Sequence, residues 1–138
     1  MNGDEIANTL IKRLLDLNFI VHRQNSITTS SIYLKLDYGV ACGIRIADHP
    51  GRKKYHYRFN VIKDYKGNKV ITHRSNLVSY FFDYNELDKV IAAVQNEKQN
   101  KINTYGIKNY QKFMERNSRD DLYKRTNKME GENLWIKY

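Results

Sequence analysis

Cysteine is almost missing from this chain. Cys42 stands alone among 138 residues, so no intrachain disulfide forms and no cysteine-built zinc site is available. That usage fits a reducing, cytoplasmic setting. Proline occurs once and glycine seven times, too few for long flexible linkers. No apolar run approaches the ~20 residues that span a bilayer. The opening Met1-Asn2-Gly3-Asp4-Glu5 is acidic and polar and does not read as a secretory signal. A strongly amphipathic basic helix is also missing, which argues against a membrane-surface partner. The four histidines, His22, His49, His56 and His73, match no zinc template. There is no Gly-x-Ser-x-Gly elbow, no P-loop and no dinucleotide fingerprint. Neither a metal nor a cofactor is expected.

What is present is positive charge, and it is concentrated. The chain holds Lys+Arg 24 against Asp+Glu 15, a net charge of +9. Residues 46–75 contain Arg52, Lys53, Lys54, Arg58, Lys63, Lys66, Lys69 and Arg74 against only Asp48 and Asp64. Tyr55, Tyr57, Phe59 and Tyr65 are interleaved with them. Cations suit phosphates and aromatic faces suit bases, so this composition suits a polyanion. Usage is heavy in Lys, Asn, Ile and Tyr. Their A/T-rich codons associate the chain with a low-GC bacterium or its phages, hence a bacterial host cell.

At this length, with 41% hydrophobic and 12% aromatic residues, one domain with a real core is expected. Residues 4–17 read as an amphipathic helix, with Ile6, Leu10, Leu14 and Leu17 at helical spacing and Ile11 and Leu15 widening the stripe. Asn18 is a left-handed stop. A short strand at 19–23 precedes a polar turn at 25–30. Residues 31–37 alternate: Ile32, Leu34 and Leu36 point one way, Tyr33, Lys35 and Asp37 the other. Residues 42–47 form the next strand, with Ile44 and Ile46 inward and Arg45 outward. Asp48-His49-Pro50-Gly51 breaks the chain before a strand at 55–62. A hairpin connection at 64–68 leads into 69–73, and 77–82 is a further strand. Asp83 and Glu86 have capping-box spacing. Leu87, Val90, Ile91 and Val94 then mark a helix to about residue 100. A break near Tyr105-Gly106 precedes another helix carrying Ile107, Tyr110, Phe113 and Met114. The expected fold is α+β: an antiparallel sheet of four to five strands, with the N-terminal and C-terminal helices packed on one face. Residues 1–116 form the domain. Residues 117–138 form a tail that Trp135, Ile136 and Tyr138 would dock on the body or on a partner; a homodimer stays open.

The face away from the helices would carry Tyr33, Lys35, Arg45, His56 and Arg58. Arg52, Lys53 and Lys54 adjoin it, as do Lys66 and Lys69 of the hairpin. The ordinary alternative is a solvated face, with Arg45 and Arg58 paired to Asp37 and Asp48. As a binding face, it favours backbone and shape contacts with RNA over sequence-specific reading of DNA, because no recognition motif is present. A catalytic alternative rests on His49 as general acid or base. Asp48 would orient its ring, and Arg52 or Lys53 would stabilise phosphate charge. The plainer view makes Asp48 a turn cap and His49 a loop residue.

Two resemblances follow from these residues. The helix ending at Leu17, the run Phe19-Ile20-Val21-His22-Arg23-Gln24, a Ser-rich turn, then Ile32-Tyr33-Leu34 and Ile44-Arg45-Ile46 before His49-Pro50-Gly51-Arg52 resemble the HicA-like mRNA interferases. That resemblance implies a double-stranded-RNA-binding-like α-β-β-β-α fold. The family's catalytic histidine follows a Gly-Ser pair in the turn after the first strand. Here that turn reads Asn25-Ser26-Ile27-Thr28-Thr29-Ser30, without histidine, so a shared fold would not carry shared cleavage. Ser30-Ser31-Ile32-Tyr33 with Ile44-Arg45-Ile46-Ala47-Asp48-His49 resembles small phage and mobile-element accessory proteins. That implies interference with a host defence nuclease, of anti-CRISPR type. The expectation is a non-enzymatic binding protein for nucleic acid or a nucleoprotein complex such as a CRISPR effector. The alternatives are an RNA-cleaving toxin using His49 and a pure protein–protein module.

Overall fold

A computed structural model describes residues 3–27, 29, 31–47, 57–62, 65–66, 69–70 and 77–130, with 57–81 and 84 entering through the backbone alone. Helix α1 (Gly3–Asp16) opens the chain. Strands β1 (Val21–Asn25), β2 (Ile32–Leu36), β3 (Cys42–Ile46) and β4 (Tyr57–Ile62) follow. A small hairpin, β5 (Tyr65–Lys66) and β6 (Lys69–Val70), precedes β7 (Leu77–Phe82). One 3-10 turn leads into α2 (Leu87–Tyr105), α3 (Ile107–Ser118), the single turn α4 (Leu122–Arg125) and the two-residue β8 (Asn127–Lys128). The fold is α+β, as the sequence predicts. The main sheet runs β7-β4-β3-β2-β1-β8, all antiparallel, and β5-β6 is a separate two-stranded ladder. The five longer strands match the expected count. The sixth, β8, comes from a stretch that the sequence left unpatterned.

Local chemistry explains these elements. Asp4 and Glu5 lie at the positive end of α1 and Arg13 in its last turn, each suited to the helix dipole. Ile6, Ala7, Leu10, Ile11 and Leu14 are buried against the sheet. Each large apolar residue so buried contributes about 1.5–3 kcal/mol. The exposed Arg13–Asp88 ion pair between α1 and α2 (2.6 Å) contributes about 1 kcal/mol at most, so burial fixes the helix. Leu17 falls beyond the last helical residue and is exposed, because Asn18 turns left-handed at φ 65°. The α2 stripe Val90, Ile91 and Val94 joins the same core as Leu34, Leu36, Ile44 and Ile46. The Asp83 N–H donates to Glu86 Oε1 (2.9 Å) ahead of that helix. The helix runs past residue 100 to Tyr105, where Gly106, at φ 85°, makes the break. Tyr110 and Phe113 of α3 then bury against Val40 in a second small core. Ile107, expected to share that stripe, is half exposed.

The turn between β2 and β3 ties the sheet to the helices. Asp37, Tyr38 and Gly39 all have positive φ (53°, 56° and 79°), a costly conformation for the two non-glycine residues. It is held from three sides. Asp37 is buried, and its carboxylate accepts the Ile20 N–H (2.8 Å) and the Tyr110 hydroxyl (2.5 Å) and pairs with Lys98 Nζ (3.0 Å). Lys98 also donates to the Asn18 carbonyl (3.1 Å) and lies 4.5 Å from the Phe19 ring centroid. One carboxylate thus joins α2, α3, the start of β1 and the turn. Below it, Lys101 is buried and donates to the carbonyls of Val40 and Ala41 (2.8 Å each). Burial holds its ammonium down at about 8. The Cys42 thiol beside it is pushed up to about 12 by complete burial, so the lone cysteine is an inert core residue.

Candidate nucleic-acid interface

Helices α1 and α2 cover one face of the sheet. In β2 and β3 the burial alternates strictly, with Ile32, Leu34, Leu36, Cys42, Ile44 and Ile46 buried and Tyr33, Lys35, Gly43 and Arg45 half-buried. The half-buried set therefore lies on the face away from the helices, as the sequence predicts. Register aligns this face in two rows. Gln24, Tyr33, Arg45, Arg58 and Phe81 are successive ladder partners across five strands. Lys128, His22, Lys35, Gly43, Asn60 and Ser79 form the neighbouring row. The five long strands contain Arg23, Lys35, Arg45 and Arg58 and not one Asp or Glu. A sheet without acids offers anions no repulsion along its ladder.

The first row has local order. Arg45 sits directly opposite Tyr33, with its guanidinium carbon 5.9 Å from the ring centroid, within cation–π reach. Arg45 Nε and one terminal NH2 both donate to Ser31 Oγ (3.2 and 3.1 Å). The hydroxyl orients the guanidinium without cancelling its charge. Asp37 was the acid that the ordinary solvated-face reading assigned to Arg45, but its oxygens are occupied by Ile20, Tyr110 and Lys98. In the second row, Lys35 faces His22 on β1 but no side chain on β3, where its partner is Gly43. A Cβ built on Gly43 would touch Lys35 Cδ at 3.8 Å and Nζ at 3.9 Å, so the lysine stem lies over the glycine. Burial lowers the Lys35 pKa below the ordinary lysine value. An incoming phosphate would offset that desolvation and favour the charged form.

Of the remaining candidates, Arg58, Lys66 and Lys69 are placed by backbone only, Arg58 opposite Arg45 and Lys66 opposite Lys69. Arg52, Lys53, Lys54 and His56 lie outside the described residues, as do His49 and Asp48 of the catalytic alternative and Trp135, Ile136 and Tyr138 of the tail. Among the described residues no cluster of His, Cys, Asp or Glu has metal-binding geometry, and no helix is long and apolar enough to cross a membrane. Two residues of this region escaped sequence reading. Gln24 is exposed and lies beside Tyr33 in the first row. His22 occupies the second row but is buried. Residues 19–25 do not alternate, so no sequence signal assigned either of them to a face. Compared with protein-family models, curated proteins and solved structures, the chain matches none.

Proposed function

We propose that this chain is a non-enzymatic basic binding protein whose sheet face away from α1 and α2 engages nucleic acid or a nucleoprotein complex. The observation that carries the reading is the ladder row Gln24–Tyr33–Arg45–Arg58. It aligns an amide, an aromatic ring and two arginines across adjacent strands that contain no acid. Guanidinium groups recognise phosphate in a planar, two-pronged way, and a tyrosine ring accepts a base. A sheet face without a recognition motif reads shape and backbone, which favours RNA, with its wide shallow groove and unstacked loops, over a particular DNA sequence. The likeness to phage accessory proteins adds the class of partner: a defence nuclease that carries RNA, such as a CRISPR effector, in the host cytoplasm.

The test is charge reversal. Arg45→Glu combined with Arg58→Glu is expected to weaken binding to a short RNA duplex about tenfold or more at fixed salt. The circular dichroism spectrum should stay unchanged. Full affinity in the folded double variant would remove this face from the interface.

A further inference from the structure

His22 is a residue that the proposed interface does not use. It lies on the same sheet face as Lys35, yet is only 3% exposed. Its ring is 4.9 Å from Tyr38 and 4.9 Å from Tyr123, and those two phenols are 5.1 Å apart, so three rings close on one another. Tyr38 comes from the β2–β3 turn and Tyr123 from α4. The imidazole Nδ1 is buried and has no hydrogen-bond partner among the described residues. Two ammonium groups flank it in the ladder, Lys35 of β2 and Lys128 of β8. Glu130 follows β8 and pairs with Lys128 (3.0 Å). Asp37, beside Tyr38, is committed to Lys98 and Tyr110, and Asp120 lies just ahead of α4.

The C-terminal segment reaches the body through this cluster. Tyr123 packs on His22, and β8 pairs with β1 only at His22↔Lys128 and Arg23↔Asn127. Beyond it, the Met129 N–H donates to the Val21 carbonyl (2.8 Å) and the Met129 side chain is buried. Protonating His22 in place would bury a charge and an N–H without an acceptor, beside two cations. We infer that His22 is a proton-sensitive latch: uptake of a proton releases residues 122–130 from β1 and bares that edge of the sheet.

The direction follows from linkage. Burial first, then Lys128, lowers the imidazole pKa below 6.5, with Glu130 opposing. Once the segment lifts, the ring is hydrated and regains its ordinary value. The open form therefore binds protons more readily. Docking is fully held above pH 6.5, weakens as pH falls below it, and levels off once the closed form also protonates.

The experiment is native-state hydrogen exchange on the full chain between pH 7.5 and 5.0, corrected for intrinsic rates. The opening constant reported by the Met129 amide should rise several-fold, with an upper limit of about tenfold per pH unit. Amides in the middle of α2 should not follow it. His22→Phe keeps a ring in the cluster and should flatten the response. A flat wild-type profile, or an unchanged response in His22→Phe, would overturn the latch. An NMR titration of the wild-type imidazole tests it without mutation. A midpoint below 6.5 that tracks opening supports the latch, and a midpoint at or above 6.5 refutes it.

Discussion

Arg23→Ala is expected to lower the unfolding free energy by about 3–5 kcal/mol in urea denaturation, a large share of a domain's margin. Arg23 is 1% exposed and lies on the helix-facing side of β1, opposite Leu34. Its three nitrogens are used separately. One terminal nitrogen pairs with Asp4 (2.7 Å), the other donates to Asn8 (3.2 Å), and Nε donates to Asn25 (3.1 Å). Alanine removes the ties between α1 and β1 and leaves space in a packed layer. Asp4 is itself 46% exposed, so its carboxylate can rehydrate when the partner is lost. Most of the cost is therefore volume and hydrogen bonding, which an Arg23→Met variant separates. Methionine refills the space, and its loss should be about 1 kcal/mol. Equal losses in both variants would show that the guanidinium's polar ties, not its volume, hold the layers together.

Asp37→Ala should cost a similar amount, about 3–5 kcal/mol, and Asp37→Asn about 1.5–3 kcal/mol. Alanine removes the carboxylate shared by three groups: the Ile20 N–H, the Tyr110 hydroxyl and the Lys98 ammonium. It also places a Cβ residue without a side-chain acceptor at φ 53°, where asparagine is tolerated. Asparagine retains the turn and one acceptor but loses the charge facing Lys98. The ordering, alanine worse than asparagine, is the discriminating result in thermal or urea unfolding. Equal losses would mean that only the charge matters and the left-handed turn is unstrained.

Period-based elements were legible in the sequence. The alternation of residues 31–37 and 42–47 fixed β2, β3 and the side on which Tyr33, Lys35 and Arg45 lie. Helical spacing located α1, α2 and α3, and Gly106 marked their break. Features made by distant partners were not legible. β1 sits at 21–25, two residues later than the pattern suggested. Phe19 and Ile20 extend the apolar run, but Phe19 serves as a core plug under Lys98. Arg23 reads as a surface cation until α1 brings Asp4 and Asn8 over it. Asp37 reads as the acid at a strand's end, yet the left-handed turn folds it inward. β8 has two residues and no pattern, and it exists because β1 offers it an edge and the core takes Met129. The candidate face was legible through its strands, since residue parity is local. The burial of His22 was not, because Tyr38 and Tyr123 reach it from other parts of the chain.

The most direct measurement of a polyanion-binding face is affinity of the full chain for a short RNA duplex across a salt series. A cationic face predicts that log K falls linearly with log salt, and that reversing Arg45 and Arg58 makes the slope shallower by about two. Binding that ignores salt, or a slope identical in the reversed variant, would contradict it and point to a partner held by other chemistry.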